Sequence, residues 1–336
     1  MRTLTIGFLG TGGIAWMHAK GMQLRPDLFR LKAVADVNAE AGKSFADAFA
    51  IPDRHIDYRR VLDDPGIDAV MVLLPHHMHE EACVAAFAKG KHVLVEKPIA
   101  RTLQEADRII AAGQGAGRVL MVGLNQRYDG RHQRIRALVE QGVLGRLFCA
   151  RADHYQNFNP RAAWWRSRDA VGGGCVIGSG IHRLDLLRWY LGEPQEVTAA
   201  LTYDPARLEG EVAAAATIRF RNGAIAGFLI NWGVYASPYC ESLGLYGSEG
   251  SVTVAEDPGT IVTRPEQDKK LQPLEPLACE SMWEHFYRCV TTGACPLTSG
   301  SEGRASLALV LGIVRAGQTN QPVRFHSPGK ELELCD

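Results

Sequence analysis

Six residues near the amino terminus have the types and spacing to hold a phosphate. In Gly10-Thr11-Gly12-Gly13-Ile14-Ala15, a glycine run follows the apolar stretch Leu4 to Leu9, where a strand should turn into a helix. Gly10 permits the tight turn, Gly12 lets backbone approach phosphate without a Cβ in the way, and Ala15 is small enough for the helix to pack on the strand. The helix start turns unpaired N–H groups and the positive end of its dipole toward the anion. Asp36 closes a second apolar run about 20 residues further on, where a carboxylate accepts hydrogen bonds from ribose hydroxyls and repels a 2′-phosphate. No Arg or Lys directly follows it. NAD is therefore the expected cofactor and NADP the less favoured one, with a solvated strand end as the other reading of Asp36.

The elements that must position these groups alternate in the first third of the chain. Short apolar strands are expected at 4–9, 31–37, 69–74, 92–95 and 119–123, with helices at 14–24, 39–49, 78–89 and 103–115. This is the pattern of a parallel sheet covered on both faces. Thr102 is placed to cap the last of these helices, with Glu105 at the reciprocal position. In doubly wound sheets, ligands bind beyond the carboxyl ends of the strands. Three polar segments stand there: Pro75-His76-His77-Met78-His79 after Leu74, Glu96-Lys97-Pro98, and Asn125-Gln126-Arg127-Tyr128. Lys97, held at a strand end before a proline, is either a cation at the ligand edge or the partner of a surface carboxylate.

After Gly123 the pattern changes. A helix is expected near 130–141, a strand at 146–155, a glycine-led helix at 174–191, and strands at 196–203, 212–221 and 224–234, the last two joined by the hairpin signal Asn222-Gly223. The fold class that follows is α/β: a Rossmann domain over 1–123, then an α+β domain over 124–336 with a large, mostly antiparallel open sheet. His154, Tyr155 and Asn157, at the end of the 146–155 strand, have the polarity of a wall for a hydroxylated ligand.

Composition fits this division. The 336 residues suffice for about two domains. Lys+Arg and Asp+Glu both total 37, a balance without a nucleic-acid footprint. The eight cysteines form no C-x-x-C pair and no zinc spacing, so no metal is expected and a reducing cytoplasm is. The apolar run Ala69 to Leu74 is far shorter than the ~20 residues a membrane span needs. The start of the chain reads as a strand and turn rather than an export signal.

The ordered set Gly10-x-Gly12-x-x-Ala15, Asp36, Pro75 with His79, Glu96-Lys97-Pro98, Asn125-x-Arg127, Trp165-Arg166, Gly172-Gly173-Gly174 and Gly180-x-His182-x-x-Asp185 resembles the glucose-fructose oxidoreductase and inositol dehydrogenase family, Gfo/Idh/MocA. The tail agrees, in Gly247-x-x-Gly250, Phe286 and Ser299 to Val323. The resemblance implies an NAD(P)-dependent dehydrogenase or reductase of sugars, polyols and related compounds. It implies cofactor contacts from Gly10, Thr11, Gly12, Gly13, Ile14 and Asp36, from Leu74, Pro75, His76, His79, Glu96, Lys97 and Asn125, and from Trp165 with Arg166. Lys97 is then the residue that bonds the reacting hydroxyl and the nicotinamide ribose, His182 the acid/base, and Asp185 a further catalytic candidate. A homodimer or homotetramer built on the open sheet face is also implied, in keeping with the Trp, Tyr and alternating apolar residues over 224–235, for which a core packed against the chain's own helices is the other reading.

Oxidising a secondary alcohol requires removal of a hydroxyl proton while hydride leaves the carbon. Histidine suits the proton, since its ordinary pKa of about 6.5 leaves it mostly neutral at pH 7. An ammonium stabilises charge building on the oxygen. One position departs from the family pattern: Gly178 stands where an aspartate is usual, four residues before His182. The expectation is a vacant place on the helix face, with Asp185, Ser179 or a water contacting His182, or room for a bulkier substrate at Gly178. A second reading, a non-catalytic NAD-binding redox sensor, rests on that glycine alone.

Overall fold

The computed structural model describes residues 2–160, 162–234, 240–254, 260–263, 272–326 and 332–334. The chain forms two compact units, Met1–Leu124 with Glu280–Gly303, and Asn125–Cys279 with Arg304–Asp336.

The first unit begins with β1 (Leu4–Leu9), α1 (Gly13–Gln23), β2 (Phe29–Ala35), α2 (Ala39–Phe49), β3 (Asp53–His55), α3 (Arg59–Asp63), β4 (Ala69–Val72), α4 (His79–Ala88), β5 (His92–Val95), α5 (Leu103–Gly115) and β6 (Leu120–Val122). The strands form one parallel sheet in the order β3-β2-β1-β4-β5-β6. Their side chains are buried on both faces, Ile6, Phe8, Val34, Val70, Val72, Val93 and Leu94 among them, as helices on either side require. The strand order reverses between β1 and β4, which opens a crevice at their carboxyl ends. β3 and α3 have no counterpart in the sequence expectation: three half-exposed or exposed polar residues, Asp-Arg-His, carry no alternation to read. Thr102 caps α5 as expected, accepting from the Glu105 amide at 3.1 Å. The carboxylate of Glu105, however, takes the Arg101 amide at 2.9 Å, one residue before the cap, because the Arg101 guanidinium draws it there.

The second unit contains α6 (Gly130–Glu140), β7 (Leu147–Tyr155), α7 (Arg168–Val171), α8 (Ile181–Leu191), β8 (Pro194–Tyr203), β9 (Glu211–Phe220), β10 (Ile225–Asn231), β11 (Cys240–Gly247), β12 (Ser251–Val254), β13 (Thr260–Thr263), β14 (Gln272–Pro273), β15 (Val323–His326) and β16 (Glu333–Leu334). Among the described residues its strands run in the order β14-β13-β12-β11-β7-β10-β9-β8-β15-β16, antiparallel except for the β7/β10 pair. The Asn222-Gly223 hairpin forms between β9 and β10, with Gly223 at φ +88° in the left-handed region that glycine tolerates. Alternation sorts β10 cleanly: Ala226, Phe228 and Ile230 face the unit's own core, whereas Ile225 and Leu229 are exposed, as is Phe148 on β7. Trp232 is buried, so it belongs to the core and not to the open face; Tyr235 lies outside the described residues.

The helix expected over 174–191 divides. Residues Val176–Gly180 form a π-turn and regular α-helix begins at Ile181. Two glycines in that turn are weak helix formers, and the wider winding accommodates indole and phenyl rings pressed against them. The chain then returns to the first unit with α9 (Met282–Thr292), opened by a capping box between Ser281 and Glu284, while α10 (Gly300–Thr319) follows. No helix among the described residues is long and apolar enough to cross a membrane.

Candidate active site

In the first unit the sequence-expected residues gather at the carboxyl ends of β1, β2, β4 and β5. Gly10 sits at φ +95°, and a Cβ there would lie 2.6 Å from the Leu73 carbonyl oxygen, so only glycine lets β1 turn this close to β4. A Cβ on Gly12 or Gly13 would meet nothing within 4 Å. Gly12 is the N-cap of α1 and offers no side chain to its first-turn amides. Open space above bare backbone, at an uncapped helix start, fits a pyrophosphate. Ile14, 37% exposed, borders the same opening.

Asp36 lies one residue past β2. One carboxylate oxygen accepts from the Thr11 amide (2.9 Å) and hydroxyl (2.6 Å), the other from the Asn38 amide (2.8 Å). Three of its roughly four acceptor positions are thus used, and the half-exposed group retains capacity for a ribose hydroxyl. Asp36 therefore also fixes the glycine turn.

Past β4, Leu74 leads through Pro75 into a single helical turn bearing the buried His76. His79, fully buried, reaches the carbonyl of Leu74 (2.8 Å) with one ring nitrogen and that of Pro98 (2.9 Å) with the other. It ties the segment after β4 to the one after β5. Burial pulls its pKa down, and the two carbonyls pull against that. Glu96, also buried, accepts from the Lys97 amide at 3.1 Å and lies 2.9 Å from His18, which sequence pattern did not single out. Lys97 is half-buried and its bond to Pro98 is cis.

In the second unit, Asn125 opens a helical turn whose Arg127 is buried in a bidentate pair with Asp185, at 2.7 and 2.8 Å. Ser306 gives Asp185 a further bond at 2.7 Å, and Trp189 lies under the guanidinium at 5.5 Å. His154 is buried 3.0 Å from Glu241, whose carboxylate also binds Arg183 and, at 3.3 Å, Gln126. Tyr155 is half-buried; Asn157 is exposed and accepts from Arg207 at 3.3 Å. Trp165 stacks on Trp164 at 4.3 Å and meets Phe158 and Trp232 edge-on, beside the exposed Arg166. Gly174 admits the start of β9, where buried Glu211 accepts from the Gly174 and Val176 amides, both at 3.0 Å, and burial raises its pKa. His182, half-buried, stands in the first turn of α8.

Comparison with known proteins joins these halves to one lineage. Residues 4–124 match the model of the oxidoreductase family with an NAD-binding Rossmann fold, and residues 132–253 match that of the GFO/IDH/MocA C-terminal domain. The chain belongs to the Gfo/Idh/MocA family. It is 29% identical over 331 residues to a 1,5-anhydro-D-fructose reductase of Ensifer adhaerens, covering 96% of this chain and 98% of that one. A myo-inositol 2-dehydrogenase of Thermotoga maritima is 27% identical, with 91% and 94% covered. Among solved structures, aldose-aldose oxidoreductase of Caulobacter crescentus complexed with glycerol superposes at TM-score 0.87 with 27% identity, over 96% of this chain and all of that one. This member of the family is accordingly an NAD-dependent oxidoreductase.

Within that family frame, two expectations are corrected. The place left by Gly178 is not vacant: a Cβ there would overlap Trp232, lie 2.7 Å from another of its ring atoms and 3.2 Å from Trp165. Indoles fill the space where the Gfo/Idh/MocA aspartate is usual, so the glycine makes no room for a larger substrate. The groups expected at His182 are engaged elsewhere. Asp185 is held by Arg127 and Ser306, and the Ser179 hydroxyl accepts from the Trp232 N–H at 3.1 Å. Asp185 thus ties α8 to the segments around it. The π-turn underlies the first error, because straight α-helical counting from His182 does not carry back across it to Gly178; the second arises because Arg127, distant in sequence, takes the Asp185 carboxylate.

Proposed function

We propose that this oxidoreductase transfers hydride between NAD(H) and a secondary alcohol or ketone of a sugar, polyol or related carbohydrate derivative, with Lys97 and His182 handling the reacting oxygen. The observation that carries the reading is the first unit's construction. Asp36, His79 and Glu96 each bond the backbone of a segment at the strand ends, and together they bring the glycine turn and Lys97 to one crevice. The carbohydrate class is supported by the relatives, whose names specify an anhydrofructose reductase and an inositol dehydrogenase.

Bound nicotinamide supplies the hydride acceptor or donor. Lys97 holds a positive charge beside the oxygen and stabilises the negative charge that grows there. His182 accepts the hydroxyl proton in oxidation and returns it in reduction, the task to which an imidazole side chain is suited. Tyr155 and Asn157 bind further hydroxyls, and Trp165 with Arg166 the cofactor. His154, engaged by Glu241, shapes that wall from behind.

We place the enzyme in the cytoplasm, in keeping with the free Cys83, Cys175 and Cys289, and assign the exposed sheet face with Phe148, Ile225 and Leu229 to a homo-oligomer. The test is a panel of myo-inositol, levoglucosan, 1,5-anhydro-D-fructose, D-glucose and D-xylose with NAD+ or NADH, followed by nicotinamide absorbance. Turnover of at least one, lost on Lys97→Met by about a thousandfold in kcat, supports the reading. Tight NAD binding without turnover of any would instead support a regulator.

A further inference from the structure

Three side chains and one backbone amide in the first unit form one hydrogen-bonded line. The Trp283 indole N–H lies 3.1 Å from His18 Nδ1, His18 Nε2 lies 2.9 Å from Glu96 Oε1, and Glu96 Oε2 accepts from the Lys97 amide at 3.1 Å. An indole nitrogen only donates, so His18 Nδ1 must be an acceptor and carry no proton. The ring proton therefore sits on Nε2 and points at Glu96. The opposite tautomer would set two donors against each other at Trp283 and a lone pair against a carboxylate at Glu96. His18 has no solvent exposure and Glu96 only 7%, so water offers neither an alternative partner.

We infer that His18, locked in a single tautomer by Trp283, is a positioning residue that aims Glu96 and through it the backbone of Lys97. The segment Glu280–Gly303 acquires a purpose from this. Its capping box sets the start of α9, Glu284 also pairs with Arg25 two residues past α1, and the ring of Trp283 stands edge-on to His18 at 6.1 Å. Gly21 and Gly123 are shaped to the same line. A Cβ on Gly21 would overlap the Trp283 ring, and one on Gly123 would lie 2.7 Å from Glu96 Oε1. Neither His18 nor Trp283 bonds the glycine turn or Asp36. The effect of breaking the line accordingly falls mainly on the chemical step at Lys97, while the glycine turn and Asp36 keep their hold on the cofactor.

The inference rests on the role given to Lys97 above, and the experiment separates the two. Steady-state kinetics of the full-length enzyme are measured with NADH and 1,5-anhydro-D-fructose, or with the fastest sugar of the panel if that one is inert, for Lys97→Met, His18→Leu, His18→Gln and Trp283→Phe. His18→Leu is expected to lower kcat about tenfold or more with KM for NADH within about twofold, since a bond acting only on the reacting arrangement is lost. His18→Gln, whose amide N–H replaces Nε2–H, restores kcat to within about threefold, and Trp283→Phe lowers it about threefold because the tautomer is released. A folded His18→Leu with unchanged kcat, or a His18→Gln as impaired as His18→Leu, overturns the inference. If His18→Leu does not fold, Trp283→Phe decides, and an unchanged kcat there overturns it. Loss in Lys97→Met with these variants innocuous refutes the positioning role alone; an inactive wild type or an active Lys97→Met refutes the functional reading and the inference with it.

Discussion

The two units hold their candidate residues by different means. In the first, the functional groups lie one to three residues past strands of a parallel sheet, and side chains such as His79 and Glu96 bond backbone within that same crevice. In the second, His182 depends on a helix whose placement is set by buried ion pairs and indoles drawn from segments far apart in sequence, Arg127 with Asp185 and Trp232 with Gly178. A strand-end site tolerates change away from the turn, whereas a site hung on buried charge fails when any partner is removed. That contrast can be broken or sharpened by substitution.

The largest stability effect is expected at Arg127→Ala or Asp185→Ala. Each leaves a buried charge without its partner, since both side chains are 2% exposed, and should cost about 3–5 kcal/mol in urea unfolding. A loss under 1 kcal/mol would show that α8 is held by other means.

Acid should reach the second unit through His132. This ring is buried against the Tyr190 hydroxyl at 3.0 Å, and burial, reinforced by Arg183, pushes its pKa down to about 4. The unfolded chain then binds the proton first, so stability is constant above the ordinary value and is lost as pH falls from about 6.5 to about 4, by roughly 3 kcal/mol at most. Urea midpoints at pH 7 and pH 5 should differ in the wild type and differ less in His132→Phe. An equal slope in both would exclude this histidine as the cause.

Gly178→Asp sharpens the comparison from the other side. The carboxylate usual in the family would have to displace Trp232 from a packed core, at a cost of about 1–3 kcal/mol, with no gain in kcat. A stable and faster Gly178→Asp enzyme would show that the indole cluster moves readily.

The smallest effect on the folded unit belongs to Leu229→Arg. This outward residue should change unfolding free energy by about 0.5 kcal/mol or less while converting an oligomer to monomer in sedimentation. Sedimentation as a monomer in the wild type would remove the assignment of this face.

Legibility followed the same division. The strands and helices of the first unit are within a few residues of their sequence-based positions because β1, β4 and β5 are continuous apolar runs bounded by polar ends. The missed β3 and α3 are short and polar at their exposed faces, so periodicity has nothing to act on. At the strand ends, the places of Gly10, Asp36 and Glu96 were readable from local spacing. His18, Trp283, Glu241, Arg183 and Glu211 were not, since each acquires its role from a partner at least 35 residues away. Asp185 was misassigned for the same reason: its helical spacing from His182 was visible, and the Arg127 that takes its carboxylate was not linked to it by any local rule.

The central claim is that Lys97 and His182 act on one oxygen. A double-mutant cycle on kcat with Lys97→Met, His182→Asn and the pair tests it most directly. Groups serving the same proton and charge in a single transition state are not independent, so the double variant should be scarcely slower than the worse single one. Losses that multiply, or a single variant that retains wild-type turnover, would contradict it.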